Sequence, residues 1–192
     1  MKLFDEALLE PLVRKLRFWY GIKYLDKTTP FSLVDLGCGP KIHLYQELLQ
    51  QKYLVKKYIG FDPLGDFRLV QKDIELRTTS VDKTIPLADN SVDYVVGFAF
   101  LEHIENPELI IRESMRILKP GGKAIFTAPS VALKPILELL AKIGLISSRE
   151  IAEHKHYFSY KRIMALVPKA YQAKVVHSYF QFGLNNLLVI SK

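Results

Sequence analysis

The sequence predicts an α/β fold: a mostly parallel sheet covered by helices on both faces, with an antiparallel hairpin at its C-terminal edge. Two observations carry this. Short runs rich in β-branched and aromatic residues, at 31–36, 57–62, 92–98 and 123–128, alternate with segments whose apolar residues recur at helical spacing. The tail then changes pattern. Residues 173–180 and 187–190 read as two strands joined by Gly183-Leu184-Asn185-Asn186, most simply a hairpin. Each parallel crossover is expected to be right-handed.

Taken in order, residues 4–27 read as helical. Leu8, Leu9, Leu12, Val13, Leu16, Trp19 and Tyr20 recur at helical spacing, with Arg14, Lys15, Arg17 and Lys23 between them. Pro11 is expected to split this segment into a short and a longer piece. After the break at Thr28-Thr29-Pro30, residues 31–36 form a short buried strand and Gly37-Cys38-Gly39-Pro40 a turn. Residues 41–51 form a helix with Ile42, Tyr45, Leu48 and Leu49 on one face. The second strand, 57–62, is stopped by Pro63. Residues 64–76 are ambiguous, an irregular helix at most, and 77–81 are expected to be a short third strand. A polar loop, 86–91, precedes the strong strand 92–98. Asn106-Pro107 starts a helix to Leu118 with proline in its first turn. Lys119-Pro120-Gly121-Gly122 is expected to end it in a tight turn before the strand 123–128. An apolar helix over 135–146 and a helix over 159–169, N-capped by Ser159, precede the hairpin.

Composition bounds the class. A chain of 192 residues fits a single domain, 1–192, and 49% hydrophobic residues, with 11 Phe and 10 Tyr, can build a sizeable core. The one cysteine excludes an intrachain disulfide and fits a reducing compartment. The start, Met1-Lys2-Leu3-Phe4-Asp5-Glu6, has acids where a signal peptide would begin its apolar core, and no apolar run reaches membrane-spanning length. A soluble, cytoplasmic protein is expected. The net charge of +7 favours anionic partners, but its basic residues are spread along the chain.

In an open α/β sheet, ligands bind beyond the carboxyl ends of the strands, where strand order reverses. The first strand-to-helix turn, Asp35-Leu36-Gly37-Cys38-Gly39-Pro40, lies there. Its glycines allow a sharp turn and close approach of a ligand to the main chain, and Pro40 suits the first turn of the following helix. A dinucleotide fingerprint needs a third glycine at position 42, where Ile42 stands. A nucleoside cofactor without a pyrophosphate does not require it. Asp62, at the end of the second strand, is placed to accept hydrogen bonds from ribose hydroxyls.

These residues carry a family resemblance. Val34-Asp35-Leu36-Gly37-Cys38-Gly39 resembles motif I of the class I S-adenosylmethionine-dependent methyltransferases, of the methyltransferase type 11 kind. Gly60-Phe61-Asp62 resembles the acidic position after their second strand. The stretch from Ile85 to Val96 resembles their loop and fourth strand. The run Leu101-Glu102-His103-Ile104-Glu105-Asn106-Pro107 resembles the segment after that strand, and Arg116-Ile117-Leu118-Lys119-Pro120-Gly121-Gly122-Lys123 the turn into their fifth strand. The resemblance implies a Rossmann-like three-layer sandwich with a seven-stranded sheet and a reversed last hairpin. It implies S-adenosyl-L-methionine as cofactor. Asp35, Gly37 and Gly39, with Cys38 between the glycines, would then meet the methionine end. Asp62 would hold the ribose, Asp82 with the Val81 backbone would face the adenine, and Phe98 and Ala99 would line the methionine portion. The short segment before Asp82 makes Asp73 a rival at the adenine.

With the methyl group activated on the cofactor, the protein must align an acceptor and, for oxygen or nitrogen, remove its proton. Histidines titrate near neutrality. His103, after the fourth strand, and His154 and His156, in the polar run Glu153-His154-Lys155-His156-Tyr157-Phe158, are the candidate bases. His43 and His177 read as surface or sheet residues. No metal is expected, since no cysteine or third histidine neighbours His154 and His156 in sequence. No serine or cysteine is paired with a base for covalent hydrolysis.

Outside the cofactor half, residues 1–29 read as a helical lid or cover, which could also rest on an anionic membrane surface. Residues 131–170 read as a helical insertion on the acceptor side. The acceptor is expected to be a small molecule, a sugar precursor or a lipid-linked compound, methylated on O, N or C. Nucleic acid is disfavoured, because no Lys/Arg stripe with interleaved aromatics follows the cleft. The sequence leaves the oligomeric state open. A nicotinamide-dependent oxidoreductase on a similar fold, or a catalytically silent cofactor-binding module, are the alternatives.

Overall fold

A computed structural model describes residues 10–64, 73–142 and 154–192. Residues 4–9 of the expected first helix, most of the ambiguous stretch, and the far end of the helix expected over 135–146 lie outside the described residues. Seven strands form one sheet in the order β3-β2-β1-β4-β5-β7-β6. They are β1 (Phe31–Leu36), β2 (Val55–Phe61), β3 (Ile74–Arg77), β4 (Val92–Phe98), β5 (Leu118–Pro129), β6 (Val175–Phe180) and β7 (Asn185–Ser191). Strands β1 to β5 pair in parallel, and β7 lies antiparallel between β5 and β6. The chain runs outward from β1 through β2 to β3, then returns to place β4 on the other side of β1. The switch point therefore falls between β1 and β4.

Alternate side chains of the strands feed two apolar layers, as a sheet covered on both faces requires. On one face Leu33, Tyr58, Val96 and Ile125 pack with Phe18 and Ile22 of α1 (Glu10–Ile22) and Leu44 and Leu48 of α2 (His43–Gln50). On the other, Val34, Ile59, Val95, Phe126 and Leu188 pack with Ile110, Ile111 and Met115 of α3 (Pro107–Ile117), and with Ile163. Ile163 belongs to α5 (Tyr160–Ala165); α4 (Leu133–Lys142) follows β5. Asn106 caps α3 by accepting from Leu109 N–H at 3.1 Å, and Pro107 opens its first turn. The Arg116 guanidinium, at the end of α3, donates to the Ile85 and Leu87 carbonyls and so holds the loop before β4. Among the described residues, no helix is long and apolar enough to cross a membrane.

Several elements differ from the sequence reading, each for a local reason. Pro11 sits in the first described turn of α1, where a missing N–H is harmless; the shorter piece expected before it lies outside the described residues. Helix α2 starts at His43, after a left-handed Ile42, so Pro40 precedes the helix. Its buried residues are Leu44 and Leu48, while Leu49 is 50% exposed, since one narrow stripe of a short helix reaches the sheet. Strand β3 comes earlier than expected: it pairs with β2 from Tyr58↔Ile74 to Phe61↔Arg77, and it ends where β2 ends. The Lys119-Pro120-Gly121-Gly122 stretch is not a turn outside the strand. It bulges within β5 between the Val92↔Leu118 and Tyr94↔Lys123 pairs. Helix α5 stops before Pro168 and a short 3-10 turn, Lys169–Lys174, comes next. Asn185 and Asn186, expected in the hairpin turn, are the buried first residues of β7.

The fully buried Asn186 ties the hairpin to the rest. Its Nδ2 donates to the Phe158 carbonyl at 3.0 Å, and its Oδ1 accepts from His177 Nε2 at 2.9 Å. Replacing it by alanine leaves a buried carbonyl without its donor. Asn186→Ala should cost about 1–3 kcal/mol and lower the melting temperature by roughly 2–10 °C in thermal unfolding followed by circular dichroism. A melting temperature equal to wild type would refute the tie.

Candidate active site

The loop after β1 is stitched to the end of β2. Gly37 and Cys38 donate their N–H groups to the Phe61 carbonyl at 2.8 and 3.2 Å. Gly39 N–H donates to Asp62 Oδ2 at 3.0 Å, and Asp62 Oδ1 accepts from Leu64 N–H at 2.8 Å. Gly37 (φ +75°) and Gly39 (φ +66°) are left-handed, a conformation that favours glycine. A Cβ on Gly39 would meet nothing within 4 Å, so the backbone there faces open space. Ile42 is also left-handed, at φ +43°, which is strained for a β-branched residue. Position 42, where a dinucleotide fingerprint would have glycine, thus has a backbone that would suit glycine but carries isoleucine.

Asp35 lies beneath this loop, 3% exposed, and accepts a hydrogen bond from the Tyr58 hydroxyl. Burial pushes its carboxyl up to about 7, opposed by the Tyr58 bond and assisted by the negative charge of Asp62. Cys38 is buried, and its Sγ would stand 2.7 Å from a Cβ on Gly60. Its side chain fills the space beside β2, leaving only its backbone for a ligand. Burial raises the thiol far above its ordinary range, so Cys38 is a protonated packing residue.

The other candidates are placed unevenly. Val81 is buried in the core and Asp82 is exposed beside it, following β3 on the ligand edge. Asp73 immediately precedes β3, and its carbonyl accepts from Tyr58 N–H at 2.8 Å. That is the amino end of the strand, on the order of 10 Å from the glycine-loop edge, so topology separates Asp73 from the site. The Phe98 ring turns under α1: it lies 5.5 Å from the Phe18 ring, and a Cβ on Gly21 would be 2.3 Å from it. Ala99 is left-handed (φ +53°), and its N–H donates to the Thr127 carbonyl at 3.1 Å. The aromatic over the glycine loop is Phe100, whose ring would stand 3.0 Å from a Cβ on Gly37.

Immediately after Phe100, a 3-10 turn, Leu101–His103, carries the second half of the site. His103 and His154 stack edge to face with centroids 5.1 Å apart. With the buried Glu102, their nitrogen and carboxylate atoms lie within 4.8 Å of one another. The segment bearing His154 is sewn on through the backbone. Lys155 and His156 N–H groups donate to the Glu102 carbonyl at 2.8 and 3.3 Å, and Phe158 N–H donates to the Pro129 carbonyl at 3.0 Å. His156 Nε2–H donates to the Ile104 carbonyl at 3.0 Å, which turns this candidate base toward the main chain. His154 Nδ1 is 3.2 Å from the Tyr157 hydroxyl.

Burial, then the neighbouring His103 and Arg17, lower His154 to about 4, so it is neutral near pH 7. The expectation that it titrates near neutrality does not hold in the fold. His177 lies in β6 and His43 at the start of α2, away from this cluster in the topology. Sequence reasoning did not single out Glu102, Tyr157 or Phe100. Each is adjacent to a residue that it did name, but irregular segments carry no periodicity to say which side chain turns inward.

Comparison with known proteins bears on the family and the fold. Residues 34–126 match a family model described as a methyltransferase domain. A ubiquinone biosynthesis O-methyltransferase of Pseudomonas entomophila is 31% identical over 131 residues, which is 64% of this chain and 55% of that protein. The mitochondrial enzyme of the same name from Rattus norvegicus is 28% identical over 141 residues, 66% of this chain and 38% of that protein. The chain thus spans about half the length of such relatives, or less. A chain of the complex between the Haloferax volcanii Trm112 methyltransferase activator and a methyltransferase superposes with a TM-score of 0.66 at 17% identity, covering 96% of this chain and 94% of that one. An S-adenosylmethionine-dependent methyltransferase from Archaeoglobus fulgidus gives 0.65 at 15% identity, over 95% and 94%. At such identities the superpositions speak for the fold. The seven-stranded sheet with its reversed last hairpin is the architecture expected from the resemblance, and the nicotinamide alternative is not favoured. The match of residues 34–126 to a methyltransferase domain, on this fold, implies S-adenosylmethionine as the cofactor.

Proposed function

We propose that the chain moves a methyl group from S-adenosylmethionine to an oxygen of a small, largely apolar acceptor. The observation that carries this is the pairing, across the switch point, of an open glycine loop with the Glu102, His103 and His154 cluster, linked through Phe100. The names of the curated relatives support oxygen as the acceptor atom.

The residues present fit the cofactor. Gly37, Cys38 and Gly39 offer main chain without a side chain in the way, and the space beside Gly39 is open. Asp35, once ionised, receives the methionine ammonium. Asp62 receives the ribose hydroxyls with the lone pairs that Gly39 and Leu64 leave to it. Asp82 and the Val81 backbone border the adenine, and the backbone of Phe98 and Ala99 borders the methionine. Bound here, the cofactor supplies an electrophilic methyl group on a sulfonium. The chain's own task is to hold the acceptor in line with that methyl and to take its proton. As the carbon–oxygen bond forms, the hydroxyl becomes a strong acid, so even the weakened imidazole of His154 is basic enough to accept its proton. With Nδ1–H donating to Tyr157, the lone pair of His154 Nε2 is left for that step. His103 flanks it, and His156 holds the segment in place. Helices α1 and α4 border the proposed acceptor side, where a lipid-linked compound or a sugar precursor is the next class to try.

Three measurements test this. Asp62→Ala should weaken S-adenosylmethionine binding about 10–100-fold in calorimetry, from the loss of roughly 1.5–3 kcal/mol of charge-assisted bonding; an unchanged affinity counts against its assigned place. Because the Asp35 carboxyl is held protonated up to about 7, binding a cationic cofactor should release a proton below that pH. Affinity should therefore rise with pH, up to tenfold per unit, and level off above about 7. Asp35→Asn should flatten that profile, and a wild-type profile that is already flat would refute the role. His154→Ala should lower turnover about 100-fold or more on a hydroxylated aromatic acceptor, with cofactor affinity unchanged. Full activity would remove His154 as the base. Tight NAD(H) binding without S-adenosylmethionine binding would overturn the function as a whole.

A further inference from the structure

Helix α1 has two apolar faces. Phe18 and Ile22 are buried against the sheet, while Leu12 (59%), Leu16 (37%) and Trp19 (58%) are exposed, roughly 100° further round the helix. The exposed three have a spacing of four and three, which makes one continuous stripe. Lys15 and Lys23 are exposed at the same helical spacing, and Lys23 Nζ lies 5.1–5.9 Å from the ring centres of Trp19, Tyr20 and Tyr24. Leucine and tryptophan interleaved with lysine, and tyrosines beside an ammonium, are the chemistry of a helix lying in a headgroup layer. A protein-binding groove would bury its apolar centre and place its charge at the rim.

The stripe lies beside the site. Arg17, on the same helix, is near enough to His154 for its charge to act on it, and Gly21 packs on Phe98. Helix α4 borders the cluster from another side, with Lys134 Nζ 6.0 Å from the Tyr157 ring centre, and it too exposes Ile136 and Leu139.

We propose that the outward face of α1, with the exposed side of α4, docks on an anionic phospholipid surface and brings the histidine cluster up to acceptors dissolved in that layer. The partner is the lipid surface itself, and docking does not depend on the identity of the methyl acceptor.

Trp19 is the only tryptophan in the chain, so its fluorescence reads this face directly. Full-length protein is titrated with vesicles of phosphatidylcholine alone, and with vesicles containing about 30% phosphatidylglycerol. With the anionic vesicles, the emission should shift to the blue and be quenched by brominated lipid, and about 0.5 M salt should reverse most of this. Leu12→Ser with Leu16→Ser should weaken partitioning about tenfold or more. Lys15→Gln should weaken it roughly fivefold. Both variants should keep the wild-type circular dichroism and S-adenosylmethionine affinity. No shift with anionic vesicles, or equal binding to neutral ones, would overturn the proposal. So would a stripe-dependent dimer in sedimentation that leaves vesicles untouched, since a second copy would then occupy the face. Because no step requires turnover, failure here is distinct from failure of the proposed methyl transfer.

Discussion

Three successive N–H groups of the glycine loop end on two residues of β2 and its end: Gly37 and Cys38 on the Phe61 carbonyl, Gly39 on the Asp62 carboxylate. A loop of glycines left untied would be conformationally loose. Tied in this way, it gains a fixed shape and leaves one side of its backbone facing open space. The tie also explains the residues around it. Gly60 carries no side chain because Cys38 occupies that place, and Asp35 is buried because the loop closes over it. One carboxylate, Asp62, both shapes the loop and remains within reach of whatever binds there.

The opposite wall is made differently. It has no glycine turn. It consists of irregular chain held by carbonyl groups: Glu102 receives the N–H groups of Lys155 and His156, Pro129 receives Phe158, and Asn186 fastens the Phe158 carbonyl from below. Side-chain chemistry rides on main-chain stitching, so residues about fifty positions apart in sequence come to share one cluster. Burial within that cluster keeps His154 uncharged and places Glu102 where solvent does not compete for it.

Much of the sheet could be read in advance, because strands buried on both faces are runs that no helix period imitates. Residues 92–98 were delimited to the residue, and the N-caps Asn106 and Ser159 announced their helices through local chemistry. Pairing set what propensity could not. β3 begins and ends where β2 gives it a partner, and β7 gains two asparagines that look like turn residues. The residues proposed for the cofactor could be named because they stand at strand ends. Those proposed for the acceptor could be named only as isolated histidines. The absence of a third histidine near His154 in sequence said nothing about space, where His103 stands beside it, and the hydrogen bond from His156 to Ile104 depends on a fold that no local pattern encodes.

The lone thiol at Cys38 gives this arrangement a built-in clock. Its sulfur is packed against Gly60 and held in the unreactive, protonated form, so a thiol reagent can reach it only when the loop lifts from β2. The rate of alkylation in the native protein therefore measures how often the glycine loop opens. A ligand that rests on the loop and on Asp62 together would stop that clock without touching the sulfur. In this way a residue with no part in the chemistry reports the breathing of the element on which the chemistry depends.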